Sequence, residues 1–466
     1  QARGRPTGYA ARLFVRRHRG AIALAAAVAV LVVAGVVTVL WQAAIAADAR
    51  RRAERRFNDV RALAGSLIFD VHDAIDNVPG TTPARQLIVQ RAVQYLDSLA
   101  RESAGDAGLQ RELARAFIRV GDVQGNPNRA NVGDPTGAIA SYRRAITLAE
   151  AVRAESPGDA DALRTLASAY RQRGDVLALT GDKAKALADA EASETLYAQV
   201  AAREGATRED RVAVGVAAIK LGDLLGNPNF ENLGRSGTAN IAYKKALETF
   251  RRLDQDAHGD VAIRRYLGLA LERIGTMHED ARQWADAAAA YQESFGIRRD
   301  LAARQPTHRD IQRDLGIAHE KLGNVHLAQS GASAAVSEYR EALAVFEGLA
   351  GADPTDVNAG RTVAISRENL ADALRKDGSV TEALDLYRKA LTAHRGFIGQ
   401  DTHNVRARCD AARVGETLGD VLAAAEAPGA CTAWRLSLLD RQGAPDATAC
   451  AAPNELSRVT LKLGSC

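Results

Sequence analysis

At 466 residues the chain is too long for one compact core, so several domains or a repeat array are expected. The formal charge of +4 is unevenly placed: twelve Arg against Asp48, Glu54 and Asp59 put +9 on residues 1–61 and leave −5 on the rest, which argues against nucleic acid as the main partner of the long downstream region. Aromatic content is 5% and Ala, Leu and Arg dominate, the composition of helices with small residues at close contacts.

Residues 1–20 read as a basic juxtamembrane linker, opening on Gln1 and carrying Gly4, Pro6 and Gly8, as in a piece cropped from a longer polypeptide. Ala21 to Leu40 are twenty consecutive residues without charge, Thr38 alone among them being polar. A helix of that length rises about 30 Å, the thickness of a bilayer's hydrocarbon core. With Trp41 at the interface, the predicted transmembrane helix is 21–41. A cleaved signal peptide competes, since Ala44-Ile45-Ala46 has a small-x-small form and Arg16-Arg17 is a twin-arginine pair. The apolar run exceeds the usual signal core of about 7–15 residues, which favours the anchor. Arg12, Arg16, Arg17 and Arg19 precede the span without acids, whereas Arg50, Arg51, Arg52, Arg55 and Arg56 follow it diluted by Asp48 and Glu54, a bias toward a cytoplasmic N-terminus.

Residues 50–105 read as a juxtamembrane helical hairpin. Its first helix, from Arg50 to about Asp76, carries Phe57, Val60, Leu63, Leu67, Val71 and Ile75 at helical spacing. Pro79-Gly80-Thr81-Thr82-Pro83 breaks it, and a second helix from about Pro83 to Arg101 sets Leu87, Ala92, Leu96 and Leu99 along one side.

From 106 to 466 the chain repeats about seven times. The anchors are Gly121-Asp122, Gly174-Asp175, Gly222-Asp223, Gly275-Thr276, Gly323-Asn324, Ala371-Asp372 and Gly419-Asp420, separated by 53, 48, 53, 48, 48 and 48 residues. The two longer units share an insertion, Gly125-Asn126-Pro127-Asn128 and Gly226-Asn227-Pro228-Asn229. Ten residues before the anchor stand Arg111, Arg164, Arg265, Arg313 and Arg361, and five before it Ala116, Ala169, Ala217, Ala270, Ala318 and Ser366. Downstream come Ala138-Tyr142-Ala145, Ala239-Tyr243-Ala246, Ala335-Tyr339-Ala342 and Ala383-Tyr387-Ala390 on a second helix, whose small residues receive the first helix while each Tyr fills the gap between units. The Ala186/Ala190/Ser193 unit lacks the aromatic, and the last has Trp434 one place early.

This pattern resembles the tetratricopeptide repeat: a glycine, alanine twelve later, an aromatic sixteen later and alanine nineteen later, as in Gly323, Ala335, Tyr339 and Ala342. The usual period is about 34 residues, so a 48-residue unit lengthens each helix by roughly 10 Å. Pro157, Pro306 and Pro354 punctuate the joints. The expected fold is all-α: a single transmembrane helix, then a right-handed tetratricopeptide-like solenoid of elongated hairpins with a concave groove lined by first helices.

No catalytic, cofactor-binding or metal-ligating residue is assigned. His308-Arg309-Asp310 matches the heart of a kinase catalytic loop, but Leu315 stands where the asparagine belongs, and Asp310 occupies a helix-start register shared with Asp161 and Asn358. His319 and His326 lie on one helix face, His326 in a packing register. Asp70, His72, Asp73 and Asp76 read as a solvated acidic face. Cys409, Cys431, Cys450 and Cys466 lack zinc-ligand spacing and would form one or two disulfides if that end lies outside the cytoplasm, with the pairing left open.

The arrangement resembles the C-terminal half of bacterial membrane-bound serine/threonine protein kinases. It does so over the linker Phe14-Val15-Arg16-Arg17-His18-Arg19, over Arg55-Arg56-Phe57-Asn58-Asp59-Val60 and through Gly121-Asp122-Val123-Gln124-Gly125-Asn126-Pro127. The resemblance implies a single-pass protein of the inner membrane whose upstream kinase domain phosphorylates Ser/Thr and whose repeats lie outside the cytoplasm. These residues would anchor and bind: a protein or peptide ligand in the groove, or a second copy of the chain, with Gly35 permitting close helix approach. A kinase-independent membrane-tethered or exported scaffold of an envelope complex is the alternative, and an intrinsic enzyme activity is disfavoured for want of a site.

Overall fold

The computed structural model describes residues 82–466 apart from 127–130, 231, 258, 353–355, 401, 403 and 446–447, together with 17–20, 23, 24, 28, 31–33, 35–38 and 40–42. The described residues are helical wherever they form regular structure, with no strand among them, and they divide into two units, 1–99 and 100–466.

In the first unit, the residues described between 17 and 42 are helical except His18, and all are exposed. Leu24, Val28, Leu31, Val32, Val33, Val36, Val37, Leu40 and Trp41 are exposed apolar side chains. No helix among the described residues is long and apolar enough to cross a membrane. The remaining positions of the predicted 21–41 span lie outside the described residues, as do the first juxtamembrane helix and the cluster of Asp70, His72, Asp73 and Asp76. Helix α1, Thr82–Glu102, matches the second predicted juxtamembrane helix. Its buried side is Val89, Ala92, Leu96 and Leu99; Leu87, expected on that side, is exposed.

The second unit is a run of helix pairs. First helices are α2 (Ala107–Gly125), α4 (Ala160–Leu179), α6 (Arg208–Gly226), α8 (Val261–Asp280), α10 (Arg309–Ala328), α12 (Val357–Asp377) and α14 (Val405–Ala424). Second helices are α3 (Pro135–Glu155), α5 (Lys183–Ala201), α7 (Ser236–Asp256), α9 (Trp284–Arg304), α11 (Ala332–Ala352), α13 (Val380–Gln400) and the shorter α15 (Ala430–Gln442); a 3-10 turn, Ala449–Ala451, and α16 (Pro453–Leu463) close the chain. Helices of 19 to 21 residues span about 30 Å each, so the long period goes into longer helices, as the spacing predicts.

Each boundary has a local cause. Fifteen residues before each anchor the first helix is capped: Asp106, Asp159, Thr207, Asp260, Asp356 and Asn404 accept from a backbone N–H in the first turn. Only His308 in that series makes no side-chain cap bond. Asp310 sits in the first turn of α10 and Asp161 in that of α4, at the positive end of the dipole. Pro157 and Pro306 lie in the turns between hairpins; Pro354 lies outside the described residues.

The described residues flanking the two insertions fold alike. Val132 N–H donates to Val123 O and Leu233 N–H to Leu224 O. Gly133 and Gly234 take positive φ of 76° and 69°, which glycine adopts without a Cβ penalty. Asn126 and Asn227 are buried at 1% and 0% exposure, and their amides donate to Asp122 and Asp223 at 2.8 and 2.9 Å.

Candidate functional site

The anchor glycines mark where two helices meet through an aromatic ring. A Cβ built on Gly121, Gly222, Gly275 or Gly323 would fall 2.5–2.9 Å from the ring of Tyr142, Tyr243, Tyr291 or Tyr339, and on Gly419 2.4 Å from Trp434. The ring therefore seats on the glycine of its own hairpin. The expected role in the gap between units holds beside this for Tyr142, which also clusters with Val176 of the following first helix. The next residue explains the dipeptide: the Tyr142, Tyr243 and Tyr339 hydroxyls donate to Asp122, Asp223 and Asn324 at 2.8, 2.7 and 2.6 Å. Tyr387 donates to Asp372, and the Trp434 indole to Asp420 at 2.9 Å. Burial, then the charge of Asp122, pushes the Tyr142 phenol far above its ordinary range. The Ala287-Tyr291-Ser294 repeat was not read from the sequence, although its spacing from Gly275 is the standard one.

Where the aromatic is absent, packing changes. A Cβ on Gly174 would meet Ala186 O and Asp189 Cβ at 3.3 Å, so α5 lies directly against α4. Arg173 bonds Asp189 through two contacts of 2.7 Å. A cavity of about 30 Å³ beside Ala190 remains, with the Ser193 hydroxyl buried and without a hydrogen-bond partner among the described residues.

The predicted arginine column has a structural partner that spacing alone did not reveal. Arg111 pairs with Asp159, Arg164 with Asp210 at 2.6 Å, Arg265 with Asp314 at 2.8 Å and Arg361 with Asp410 at 2.7 Å, each joining one first helix to the next. Arg313 instead pairs with Asp310 of its own helix at 3.4 Å. The Arg164 bond, opposed by burial, holds the Asp210 carboxyl down at about 2. Three hairpins further along bury a glutamate of the first helix against a nitrogen donor of the second: Glu272 with Arg298 at 2.6 Å, Glu368 with His394 at 2.9 Å and Glu416 with Arg441 at 2.5 Å.

From α2 to α10 each first helix touches the next to an extent that no pair of second helices matches among the described residues. The array therefore curves toward its first helices, and their outer residues form the inner wall. Two hollows open between them. One, of about 300 Å³, takes Val212, Ala213 and Val216 of α6, Ile263 and Tyr266 of α8, Tyr197 of α5 and Arg171 of α4. The other, of about 470 Å³, is lined by Asp372 and Arg375 of α12 and by Thr417, Asp420 and Val421 of α14. Hollows of this size take side chains or short segments.

The residues weighed for chemistry are dispersed. Arg309 and Asp310 serve ion pairs with Asp356 at 3.4 Å and Arg265 at 3.8 Å. His319 lies 2.7 Å from Glu338 and edge-on to Phe295. His326 is partly buried. No cluster of three metal-ligating side chains occurs among the described residues. All four cysteines are paired, Cys409 with Cys450 and Cys431 with Cys466, tying α14 and α15 to the C-terminal segment. Glu416 beneath that segment accepts from Arg441, Arg458 and Lys462; against the upward push of burial, Arg458 and Lys462 bring its carboxyl down to about 2.

The tetratricopeptide repeat family matches residues 363–402, which span α12 and α13, so the chain contains a tetratricopeptide-repeat region. No curated protein matches the sequence. Among solved structures, the chain is similar to aspartyl phosphate phosphatase F from Bacillus subtilis, with 12% identity over 86% of this chain and 93% of that one and a TM-score of 0.43. It is similar to the apo form of RapI, with 12% identity, 71% and 98% coverage and a TM-score of 0.42. A signal-transduction ATPase with a tetratricopeptide repeat sensor from Pyrococcus horikoshii gives 13% identity, 77% and 53% coverage and a TM-score of 0.38.

Proposed function

We propose that this chain is the membrane-anchored, partner-binding region of a signalling protein: the inner wall of its solenoid grasps a protein or peptide, and occupancy regulates a serine/threonine kinase domain attached upstream. The observation that carries the binding role is the inner wall itself, two hollows between first helices whose packing faces are already satisfied by the glycine–aromatic contacts. Two disulfides in the last sixty residues favour an oxidising compartment for the repeats. The uncharged run of Ala21 to Leu40 and the exposed apolar side chains described within it favour a bilayer around that segment.

Photocross-linking tests this proposal. A photoreactive side chain placed at Val216 on the inner wall, in the full-length protein in its own membrane, is expected to form an adduct with a defined protein. The same group at Ile241 on the outer helix α7, 69% exposed, is expected to form none. Adducts from Ile241 alone, or equal yields from both, contradict the binding role. Release of the chain by alkaline wash without loss of 21–41 contradicts the anchor, and a change in kinase autophosphorylation when the adduct forms is the signature of regulation.

A further inference from the structure

Helix α16 holds the register of an eighth first helix. Lys462-Leu463-Gly464 repeats Lys220-Leu221-Gly222 and Lys321-Leu322-Gly323, and the contacts follow the same count. Two residues before their glycines, Lys220, Arg273 and Lys462 reach Asp175, Asp223 and Asp420 of the preceding first helix at 3.7, 2.8 and 2.7 Å. Six residues before theirs, Arg413 pairs with Glu368 and Arg458 with Glu416.

What holds α16 in that place is nevertheless different. Val459 is its one buried side chain and Leu461 is 78% exposed, while a Cβ on Gly464 would meet the Leu461 and Thr460 carbonyls and no ring. Apolar burial therefore contributes little, and ion pairs that face water add little more. The covalent bonds take over. Cys409 stands ten residues before Gly419, in the column of Arg111, Arg164, Arg265 and Arg361, and where those arginines pair with the next carboxylate it is joined to Cys450. The second disulfide ties Cys466, just past Gly464, to Cys431 in the first turn of α15. None of the four cysteines is fully buried and Cys466 is exposed, so an attacking thiolate has access. Glu416 would keep Arg441 of its own hairpin if α16 left, as Glu272 keeps Arg298.

We propose that 443–466 is a redox-sensitive strap: a dithiol reductant releases α16 from α14, and re-oxidation docks it again. Each disulfide takes up two electrons and two protons to leave two thiols, while the dithiol closes to its own disulfide. Lys462 then leaves Asp420, which lines the 470 Å³ hollow, so the thiol state sets the charge presented there. The strap stands or falls independently of what the inner wall binds.

Hydrogen exchange of the full chain in detergent tests this, with dithiothreitol as the reductant and no denaturant. The amides of 453–463 are expected to exchange at least about tenfold faster after reduction, and faster again at high salt, which screens Arg458 and Lys462. Helices α14 and α15 are expected to keep their protection, and re-oxidation to restore both the original pairing and the slow exchange. The variant carrying Cys409→Ser, Cys431→Ser, Cys450→Ser and Cys466→Ser together is expected to match the reduced chain without reductant. Unchanged exchange of 453–463 in the reduced chain or in that variant, or disulfides that react only in denaturant, overturns the strap. Protection lost from α14 and α15 along with α16 would make the disulfides structural for the seventh hairpin and overturns it equally.

Discussion

Gly222 and Gly296 are both helical glycines, yet their surroundings demand opposite outcomes for the same substitution. A methyl group on Gly222 would sit 2.5 Å from the Tyr243 ring, whereas nothing lies within 4 Å of one on Gly296. Gly222→Ala is therefore expected to destabilise by about 1–3 kcal/mol through overpacking, and Gly296→Ala to stabilise by about 0.5–1 kcal/mol through helix propensity. Urea melts of the two variants decide it; equal effects would contradict the ring-on-glycine contact. A second prediction concerns Asp210, held at about 2 against an ordinary 3.8. A carboxylate with a depressed folded-state pKa stabilises above its unfolded value and loses that contribution as pH falls, here between about pH 4 and 2. Discounted for the partly exposed Arg164, the contribution is on the order of 1 kcal/mol, and Asp210→Asn should flatten the stability profile across that window. At this scale the sequence shows which positions are special but not why. The Gly-Asp dipeptide recurs visibly, whereas its meaning, a ring on the glycine and a hydroxyl on the acid, requires knowing where Tyr142 or Tyr243 lands twenty residues later. The ion-pair column was half legible: Arg164 was in register, but Asp210, on the next helix, belongs to no local pattern.

Helix α5 shows that a missing residue can mean tighter packing rather than a hole. Since the Ala186 carbonyl already stands where a ring would lie on Gly174, Ala190→Tyr should not restore the repeat. It is expected to lower stability by about 1–3 kcal/mol, measured by thermal unfolding; a rise in the midpoint would show that α5 can move away. The closing segment is held covalently. Disulfides spanning 41 and 35 residues are each worth about 3–4 kcal/mol in the chain-entropy account. Reduction should lower the midpoint and expose 443–466 to protease ahead of the rest of the chain; unchanged protease resistance would mean that the cluster around Glu416 suffices alone. Helix existence and length were well predicted because a 48-residue period leaves room for little except two long helices. The exposure of Leu87 was not predicted, since Val89 and Ala92 define an equally regular apolar stripe. The cysteine pairing was not either, since four cysteines allow three connectivities.

The second unit is a wall of first helices presented by a framework of second helices. Periodicity read from one sequence was enough to place the groove on the first helices. The hollows within it were not foreseeable, because Arg171, Val216 and Ile263 come from three repeats and meet only through superhelical stacking. The account stands on that wall being the binding surface, and side-chain footprinting tests it most directly. The full chain would be exposed to hydroxyl radicals alone and with the protein recovered by cross-linking from Val216. Protection of Val216, Ile263 and Tyr266 on the inner wall, with Ile241 and Leu439 on the second helices reacting as before, is the predicted result. Protection confined to Ile241, Leu439 or their neighbours would contradict it.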